Sequence, residues 1–160
     1  MKKTYQFNFI QYDDLSHAPQ DIQDLMQLAK EAREDAYAPY SNFLVGAALR
    51  DSEGNVYTGN NQENAAYPSG LCAERVAIYH AAAINPNAIF TDLAVTVRSP
   101  NKKIDYPTSP CGACRQSLVE YESRQKSGIR IHFMGETGPL VEVSSIKDLL
   151  PFLFDSSSLL

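Results

Sequence analysis

Ser109-Pro110-Cys111-Gly112-Ala113-Cys114 and the earlier Cys72-Ala73-Glu74 hold all three cysteines of this chain. Each segment stands at the predicted start of a helix. One isolated thiol and one Cys-x-x-Cys pair supply three soft ligands, the number that a catalytic zinc uses when its fourth position is kept for water. Glu74 supplies an acid/base group that is not itself a ligand. The two segments therefore predict an open zinc site, with Glu74 beside Cys72, Cys111 and Cys114.

Three cysteines can also serve other purposes in a protein. Free cysteines are often small buried hydrophobic residues, and a lone Cys-x-x-Cys pair also suits redox chemistry. A structural zinc would need a fourth protein ligand, yet His17, His80 and His132 all lie outside the usual ligand spacings from the cysteines. The proline before the pair and the Ala-Glu after the isolated cysteine favour the open catalytic site.

Two arginines directly follow the predicted site segments. Three thiolates around one Zn²⁺ leave a net negative centre, which makes bound water less acidic unless a cation offsets the charge. Arg75 follows Glu74, and Arg115 follows Cys114. We predict that Arg75, and secondarily Arg115, donates a hydrogen bond to a ligand sulfur.

The spacing of apolar residues outside these segments predicts alternating strands and helices. Alternation suggests a short strand over 4–12, whose role the sequence leaves open. The other predicted elements are a helix over 21–37, a hairpin of 43–50 and 55–59, a helix over 72–84, a strand over 93–97, a helix over 112–123, strands over 129–133 and 141–143, and a short helix over 145–150. This order predicts an α/β fold, with a mixed sheet that has helices on both faces.

Length and charge limit the classes of function. A chain of 160 residues with 44% hydrophobic content fits one domain over 1–160. The net charge of −5 and the absence of a Lys/Arg cluster make nucleic acid a poor partner. Polar residues interrupt the amino-terminal segment, and no stretch is apolar enough for a bilayer, so we expect no signal peptide and no membrane. The odd number of cysteines favours the cytoplasm, where thiols stay reduced.

A second group of polar residues lies upstream of Cys72. Asn61 and Glu63 are two apart on an extended segment, so their side chains are expected on one side, where they could hold a pair of hydroxyls. In a loop such residues are more often merely solvated. Phe43 could offer an aromatic face to a base, although a place in the core is the commoner role.

Taken together, these motifs resemble the short, homotetrameric cytidine deaminases, and they carry the known signature of zinc nucleobase deaminases. The resemblance runs from about residue 24 to residue 154. The matching segments are Tyr37-Ala38-Pro39-Tyr40-Ser41-Asn42-Phe43, Val45-Gly46-Ala47-Ala48, Asn61-Gln62-Glu63-Asn64-Ala65, Tyr67-Pro68, Cys72-Ala73-Glu74-Arg75 and Ser109-Pro110-Cys111-Gly112-Ala113-Cys114-Arg115-Gln116.

The resemblance implies a three-layer α-β-α sandwich around a mixed five-stranded sheet. It implies one Zn²⁺ per chain and hydrolysis of cytidine and 2′-deoxycytidine to uridine and 2′-deoxyuridine with release of ammonia, in pyrimidine salvage. It also implies ribose binding by Asn61 and Glu63, with Phe43 beside the pyrimidine. Residues 1–20 are an amino-terminal extension to the family pattern, and 155–160 form a loose tail.

The resemblance further implies a homotetramer whose active sites are shared between subunits. Ala65 and Tyr67 would reach into a neighbouring subunit's site. An aromatic residue after Leu149-Leu150-Pro151 would close the pocket of an adjacent chain, and spacing favours Phe154 over Phe152.

Three alternatives to this function stay open at this stage. An aminonucleoside antibiotic deaminase and a free-base deaminase would both keep the cysteines and Glu74, but a free-base enzyme would have no use for Asn61 and Glu63. A non-enzymatic zinc module would fill the fourth metal position with a protein atom.

Overall fold

The computed structural model describes residues 1–159, which form six strands and three α-helices. The strands are β1 Phe9–Tyr12, β2 Leu44–Asp51, β3 Val56–Asn60, β4 Phe90–Arg98, β5 Arg130–Met134 and β6 Leu140–Val143. The α-helices are α1 Gln20–Glu34, α2 Ala73–Ile84 and α3 Gly112–Gln125. Short 3-10 turns cover Leu15–His17, Tyr67–Ser69, Ile146–Leu149 and Ser156–Ser158.

The strands form one mixed sheet in the order β1-β6-β5-β4-β2-β3. Only β4 and β5 are parallel to each other among these neighbours in residues 1–159. A parallel pair needs a crossover connection, and α3 provides it. The amino end of α3 therefore follows the carboxyl end of β4, which brings Cys111 to that edge of the sheet.

The predicted mixed α/β architecture is confirmed, but the expected number of five strands is corrected to six. The additional strand is β1, which pairs antiparallel with β6 from Phe9↔Val143 to Tyr12↔Leu140. Only Phe9–Tyr12 of the predicted strand over 4–12 is in the sheet. The reason is that β6 ends at Val143, the partner of Phe9, so the residues before Phe9 have no strand beside them.

Helices cover both faces of the sheet. On one face, α1 buries Ile22, Leu25, Met26 and Ala29 against a cluster that includes Ala48 and Ala94. On the other face, α2 and α3 pack on the larger apolar cluster, which includes Leu49, Leu93, Leu118 and Ile131. Neighbouring residues of one strand reach opposite clusters, as the two-residue period of a strand requires.

Two glycines let helices approach the sheet closely. A Cβ on Gly46 would lie 2.0 Å from the carbonyl oxygen of Ala29 in α1. A Cβ on Gly59 would lie 2.6 Å from the carbonyl oxygen of Ala73, at the first turn of α2. Gly59 therefore allows the amino end of α2, which bears Cys72 and Glu74, to sit directly on β3.

Several element boundaries differ from the sequence prediction. Helix α1 ends at Glu34 rather than near residue 37, because the backbone of Tyr37 instead bonds to Asn61 and Glu63 as an isolated parallel bridge to Gln62. Within the predicted loose tail, residues 156–158 form a 3-10 turn, and Leu160 lies outside the described residues. Among residues 1–159, no helix has the length and apolar composition needed to cross a bilayer.

Candidate metal centre and active site

Two helix amino ends bring the three cysteines together. Cys72 is the N-cap residue of α2, Cys111 is the N-cap residue of α3, and Cys114 lies in the first turn of α3. Both N-cap residues have extended backbone angles, and neither side chain makes a capping hydrogen bond. Their sulfurs are therefore free to act as ligands at a point where two positive helix ends favour thiolates.

The distances between the sulfurs fit zinc. The Cys72 Sγ and Cys111 Sγ atoms are 3.9 Å apart, and the Cys111 Sγ and Cys114 Sγ atoms are 3.5 Å apart. All three ligand atoms lie within 4.8 Å of one another. A tetrahedral zinc with Zn–S bonds of about 2.3 Å would place its sulfurs about 3.8 Å apart. The predicted ligand set is thus assembled at a spacing that one zinc ion can bridge.

The thiol pKa values show how strongly the three sulfurs influence one another. A hydrogen bond from Cys114, supported by Arg75 and Cys111, lowers the pKa of Cys72 to about 5 against the opposing effect of burial. The same contact, together with burial, raises the pKa of Cys114. Sulfurs this close cannot all ionise unless a cation offsets their charge, which is what a bound divalent metal does.

Glu74 lies beside this centre and is only 4% exposed. Its position in the first turn of α2 places it next to the sulfurs of Cys72 and Cys114. Burial, together with the negative charge of Cys72, raises the pKa of Glu74 to about 7. Glu74 also lines the cavity described below, so a carboxyl group and the two predicted ligands Cys72 and Cys111 face the same space.

The two predicted cations have different partners. Arg75 Nη2 lies 3.7 Å from the Cys72 sulfur. Arg115 instead donates to the carbonyl oxygens of Pro110 and Leu149 at 2.8 Å and 2.7 Å, and to the Ser109 hydroxyl at 2.8 Å. All three guanidinium nitrogens of Arg115 are thus used to hold the backbone before Cys111 to the carboxyl-terminal segment.

A cavity of about 670 Å³ opens above the metal centre. Among its lining residues are the predicted residues Phe43, Asn61, Glu63, Tyr67, Cys72, Glu74, Arg75 and Cys111. Cys114 is fully buried behind this surface. The volume lies within the range of small-molecule sites, and the lining combines aromatic and aliphatic side chains with polar and charged ones.

Asn61 and Glu63 both reach the cavity and are also bonded to their own chain. Asn61 accepts a hydrogen bond from the Val45 N–H at 2.8 Å and donates one to the Phe43 carbonyl at 2.9 Å. Glu63 accepts bonds from the Tyr40 and Ser41 N–H groups and from the Ser41 hydroxyl. Burial opposes ionisation of Glu63, but these bonds outweigh it and lower its pKa. The side chains of Asn61 and Glu63 therefore hold the segment that leads into β2 in place. Both also line the cavity, where they can form further hydrogen bonds.

Some lining residues were missed by the sequence analysis. Val95 and Val97 of β4 form part of the cavity wall, and Thr108 and Ser109 come from the loop before α3. The valines lie in a run that also suits a purely structural strand, so nothing local distinguishes them. Ser109 directly precedes Pro110-Cys111, and this adjacency was a usable signal.

The aromatic residues predicted to serve a neighbouring subunit lie at or beyond the rim. Tyr67 is 75% exposed at the mouth of the cavity, with its ring centroid 6.0 Å from that of Tyr40. Ala65 is exposed and lies outside the cavity lining. Phe152 and Phe154 are both exposed and also lie outside this lining, and the Phe154 carbonyl accepts a 2.8 Å bond from Gln116 Nε2. Neither phenylalanine closes the cavity of its own chain.

Comparisons with known proteins agree with this centre. A sequence model described as the cytidine and deoxycytidylate deaminase zinc-binding region matches residues 19–127. A cytidine deaminase from Sporosarcina psychrophila is 37% identical over 139 residues, which cover 87% of this chain and 95% of the relative.

Solved structures give the same result. The crystal structure of cytidine deaminase from Burkholderia pseudomallei is 41% identical, covers 82% of this chain and 97% of its own, and has a TM-score of 0.71. That of cytidine deaminase from Mycobacterium tuberculosis is 29% identical, covers 85% and 98%, and has a TM-score of 0.65. The chain belongs to the cytidine and deoxycytidylate deaminase family.

Proposed function

We propose that this protein is a hydrolase that deaminates cytidine and 2′-deoxycytidine with the help of zinc. The products are uridine and 2′-deoxyuridine with ammonia, and pyrimidine salvage is the usual role of this reaction. The observation that carries the proposal is a cluster of three sulfurs beside a cavity that Glu74, Cys72 and Cys111 line, with Cys114 buried behind them. The relatives that share the fold and most of the chain length bear the name cytidine deaminase.

Cys72, Cys111 and Cys114 would hold one zinc ion per chain. When bound, zinc acts as a Lewis acid that makes water nucleophilic at neutral pH. The Arg75 guanidinium, 3.7 Å from the Cys72 sulfur, offsets part of the negative charge of the three thiolates.

Glu74 would carry the protons of the reaction. It takes one proton from the attacking water and passes it to the ring nitrogen beside the attacked carbon. It then takes the second proton from the hydroxyl formed at that carbon and delivers it to the amine as the carbon–nitrogen bond breaks. One carboxyl group can both accept and donate protons because these transfers occur one after the other. Glu74 also lies in the first turn of α2, where an acid stabilises the helix, and the two roles are compatible.

Phe43, Asn61 and Glu63 would position the nucleoside. Phe43 is half-buried in the cavity wall and can lie against the pyrimidine ring. Asn61 keeps one amide hydrogen and one lone pair beyond its two backbone bonds, and the carboxylate of Glu63 accepts further bonds. Such a pair suits sugar hydroxyls, which a free base lacks.

The test is a zinc-to-protein ratio measured on the same sample as turnover. We expect one zinc per chain and loss of ultraviolet absorbance with cytidine and 2′-deoxycytidine. Cytosine and blasticidin S should react far more slowly, because one lacks the sugar and the other differs in its substituents. Preference for cytosine, or no turnover of cytidine in a zinc-loaded sample, would contradict the proposal.

We further propose that the enzyme is a cytoplasmic homotetramer in which subunits complete one another's sites. Exposed aromatic residues at the rim support this, because Tyr67 and Phe154 leave the cavity of their own chain open. A reducing compartment supports the three free thiols that zinc requires.

Replacement of the two carboxyl-terminal phenylalanines tests the sharing of sites. Phe154→Ala should raise the KM for cytidine about tenfold, because loss of one aromatic contact with substrate costs about 1 kcal/mol or more. Phe152→Ala is the matched control and should leave the KM near the wild-type value. A larger effect at Phe152 would reverse the assignment, and light scattering should give the mass of four chains.

A further inference from the structure

The outer edge of β1 is uncovered. β1 pairs with β6 on one side and is the last strand of the sheet on the other side. Every residue from Met1 to Gln11 is exposed. A terminal strand offers its outward N–H and C=O groups to any further strand that can lie beside it.

This edge lacks the features that usually prevent such pairing. Sheets protect their edges with lysine, proline or a bulge. The nine residues Thr4–Tyr12 contain no charged residue, proline or glycine, and β1 pairs with β6 without a register shift. Tyr5, Phe7 and Phe9 form an exposed aromatic row, with ring centroids 6.5 Å and 6.3 Å apart. The Tyr5 hydroxyl donates to the Lys147 carbonyl at 3.2 Å, while all three residues of the row remain exposed.

The charges at the two ends of this segment are complementary to each other. Lys2 and Lys3 precede the uncharged stretch, and Asp13 and Asp14 follow it. If a second copy lies antiparallel with Asn8 opposite its own counterpart, Lys3 faces Asp13 and Lys2 faces Asp14 at both ends. A parallel arrangement in register would instead place lysine against lysine and aspartate against aspartate, which is unfavourable.

The same register also matches the aromatic residues. Phe7 of each copy faces Phe9 of the other, and Gln6 faces Ile10. Directly opposed residues of an antiparallel pair lie on the same face of the sheet, so the two aromatic rows meet end to end. A single register therefore pairs opposite charges at both ends and also brings the exposed aromatic residues of the two copies together.

We propose that residues 2–14, the edge segment, pair antiparallel with the edge segment of a second copy across a twofold axis at Asn8. The pairing joins two six-stranded sheets into one continuous sheet. A second copy is favoured over an unrelated strand because the edge segment is complementary to itself in both charge and aromatic content. The family match begins at residue 19, so the edge segment lies outside it, and this proposal is independent of the proposed function.

Disulfide cross-linking in the full-length, zinc-loaded protein tests the register. Asn8→Cys places two thiols directly opposite each other, within the Cα separation that a disulfide tolerates. Gln6→Cys is the matched control, since its two copies would be offset by four residues, about 13 Å along the strands. We expect a linked dimer for Asn8→Cys alone on a non-reducing gel. No dimer at position 8, or equal dimer at both positions, overturns the proposal.

Sedimentation velocity tests the association itself. Asn8→Lys places like charges on the twofold axis, so the wild-type assembly should have at least twice the mass of this variant. Asn8→Thr is the uncharged control and should keep the wild-type mass. Equal masses for the wild type and Asn8→Lys, or assemblies of unlimited size that survive Asn8→Lys, overturn the proposal.

Charge reversal tests the partner assignment. Lys3→Glu or Asp13→Lys alone should weaken association about fivefold, because two attractive cross-strand pairs become repulsive. The double variant should restore association to within about twofold, since the pairs are re-formed with the charges exchanged. Failure of the double variant to recover, while circular dichroism shows both single variants to be folded, overturns the pairing of Lys3 with Asp13.

Discussion

Glu74 and Asp92 are both buried carboxyl groups, with exposed fractions of 4% and 1%, yet their pKa values move in opposite directions. Burial raises the pKa of Glu74 to about 7, and the negative charge of Cys72 adds to this effect. Burial also acts against the ionised form of Asp92, but hydrogen bonds from His132 and Arg50 outweigh it and lower its pKa. The charge of a buried carboxyl group is therefore decided by the balance between its burial and the hydrogen bonds and charges around it.

The groups around each carboxyl group also indicate whether it is suited to catalysis or to stabilising the fold. Asp92 accepts hydrogen bonds from His132 Nε2 at 3.0 Å and from Arg50 Nη2 at 2.9 Å, and it forms an ion pair with Arg130 Nη2 at 2.7 Å. Glu74 has sulfurs as neighbours and faces the cavity. The Asp92 carboxylate is therefore compensated by cationic and hydrogen-bonding partners, although the Nδ1 atom of His132 has no hydrogen bond among the described residues. Glu74 instead lies beside sulfurs whose charge a bound cation would offset.

The largest expected effect comes from Glu74→Gln, which keeps the shape of the side chain and removes its proton chemistry. We expect kcat for cytidine to fall by about 10² to 10⁴. The zinc content and the thermal midpoint should stay near the wild-type values. Metal analysis and turnover on one sample check this, and substantial activity with zinc bound would remove Glu74 from its proposed role.

Asp92→Asn tests whether the second buried carboxyl group serves the stability of the fold. It should lower the free energy of unfolding by about 2 kcal/mol, because charged partners in a buried network lose their compensating carboxylate. Turnover per folded molecule should hardly change. Urea unfolding and kinetics measure the two effects separately. A loss of activity without a loss of stability would place Asp92 in the active centre instead.

The pH dependence of stability sharpens the same contrast. The pKa of Asp92 is lower in the folded chain than in the unfolded chain, where it is about 3.9. Its contribution is therefore complete above that unfolded value and is lost as the pH falls through the folded value. The stability difference between wild type and Asp92→Asn should be constant from about pH 5 to pH 7 and shrink below about pH 4. Loss of zinc in acid affects both proteins equally, so it cancels in this difference. A stability difference that grows in acid would contradict the lowered pKa of Asp92.

The smallest expected effects separate the two arginine partners of Asp92. The Arg130 side chain is 46% exposed, whereas that of Arg50 is 19% exposed and also contacts Asp21 at 2.9 Å. Solvent screens the exposed pair more strongly, so Arg130→Gln should cost about 0.5 kcal/mol and Arg50→Gln about 1 kcal/mol. Denaturant midpoints of the two variants, measured in parallel, give the order. The reverse order would show that exposure does not control these contributions.

Features that arise from neighbouring residues in sequence were predictable. The cysteine motifs indicated the ligand set, because each cysteine stands at a helix start that the local pattern already marked. The hairpin of β2 and β3 followed from two β-type runs around Asp51-Ser52-Glu53-Gly54, and Gly54 indeed has a positive φ of 87°.

Features that arise from distant residues were not predictable in the same way. The partners of Asp92 come from β2 and β5, about 40 residues away, and no local pattern links them. The sequence identified Arg115 as a cation next to Cys114. Its bond to the Leu149 carbonyl could not be predicted, because it depends on where the segment ending at Leu149 packs against α3. The place of β1 depended on β6, which follows it by more than a hundred residues.

The guanidinium of Arg115 has one further consequence for how this enzyme can move. It ties the carbonyl of Pro110, directly before a metal-binding residue, to that of Leu149, shortly before the exposed phenylalanines. Arg115 therefore tethers the segment that leads to the exposed phenylalanines to the turn that carries Cys111. A displacement of the carboxyl-terminal segment would therefore be transmitted to the backbone directly before Cys111.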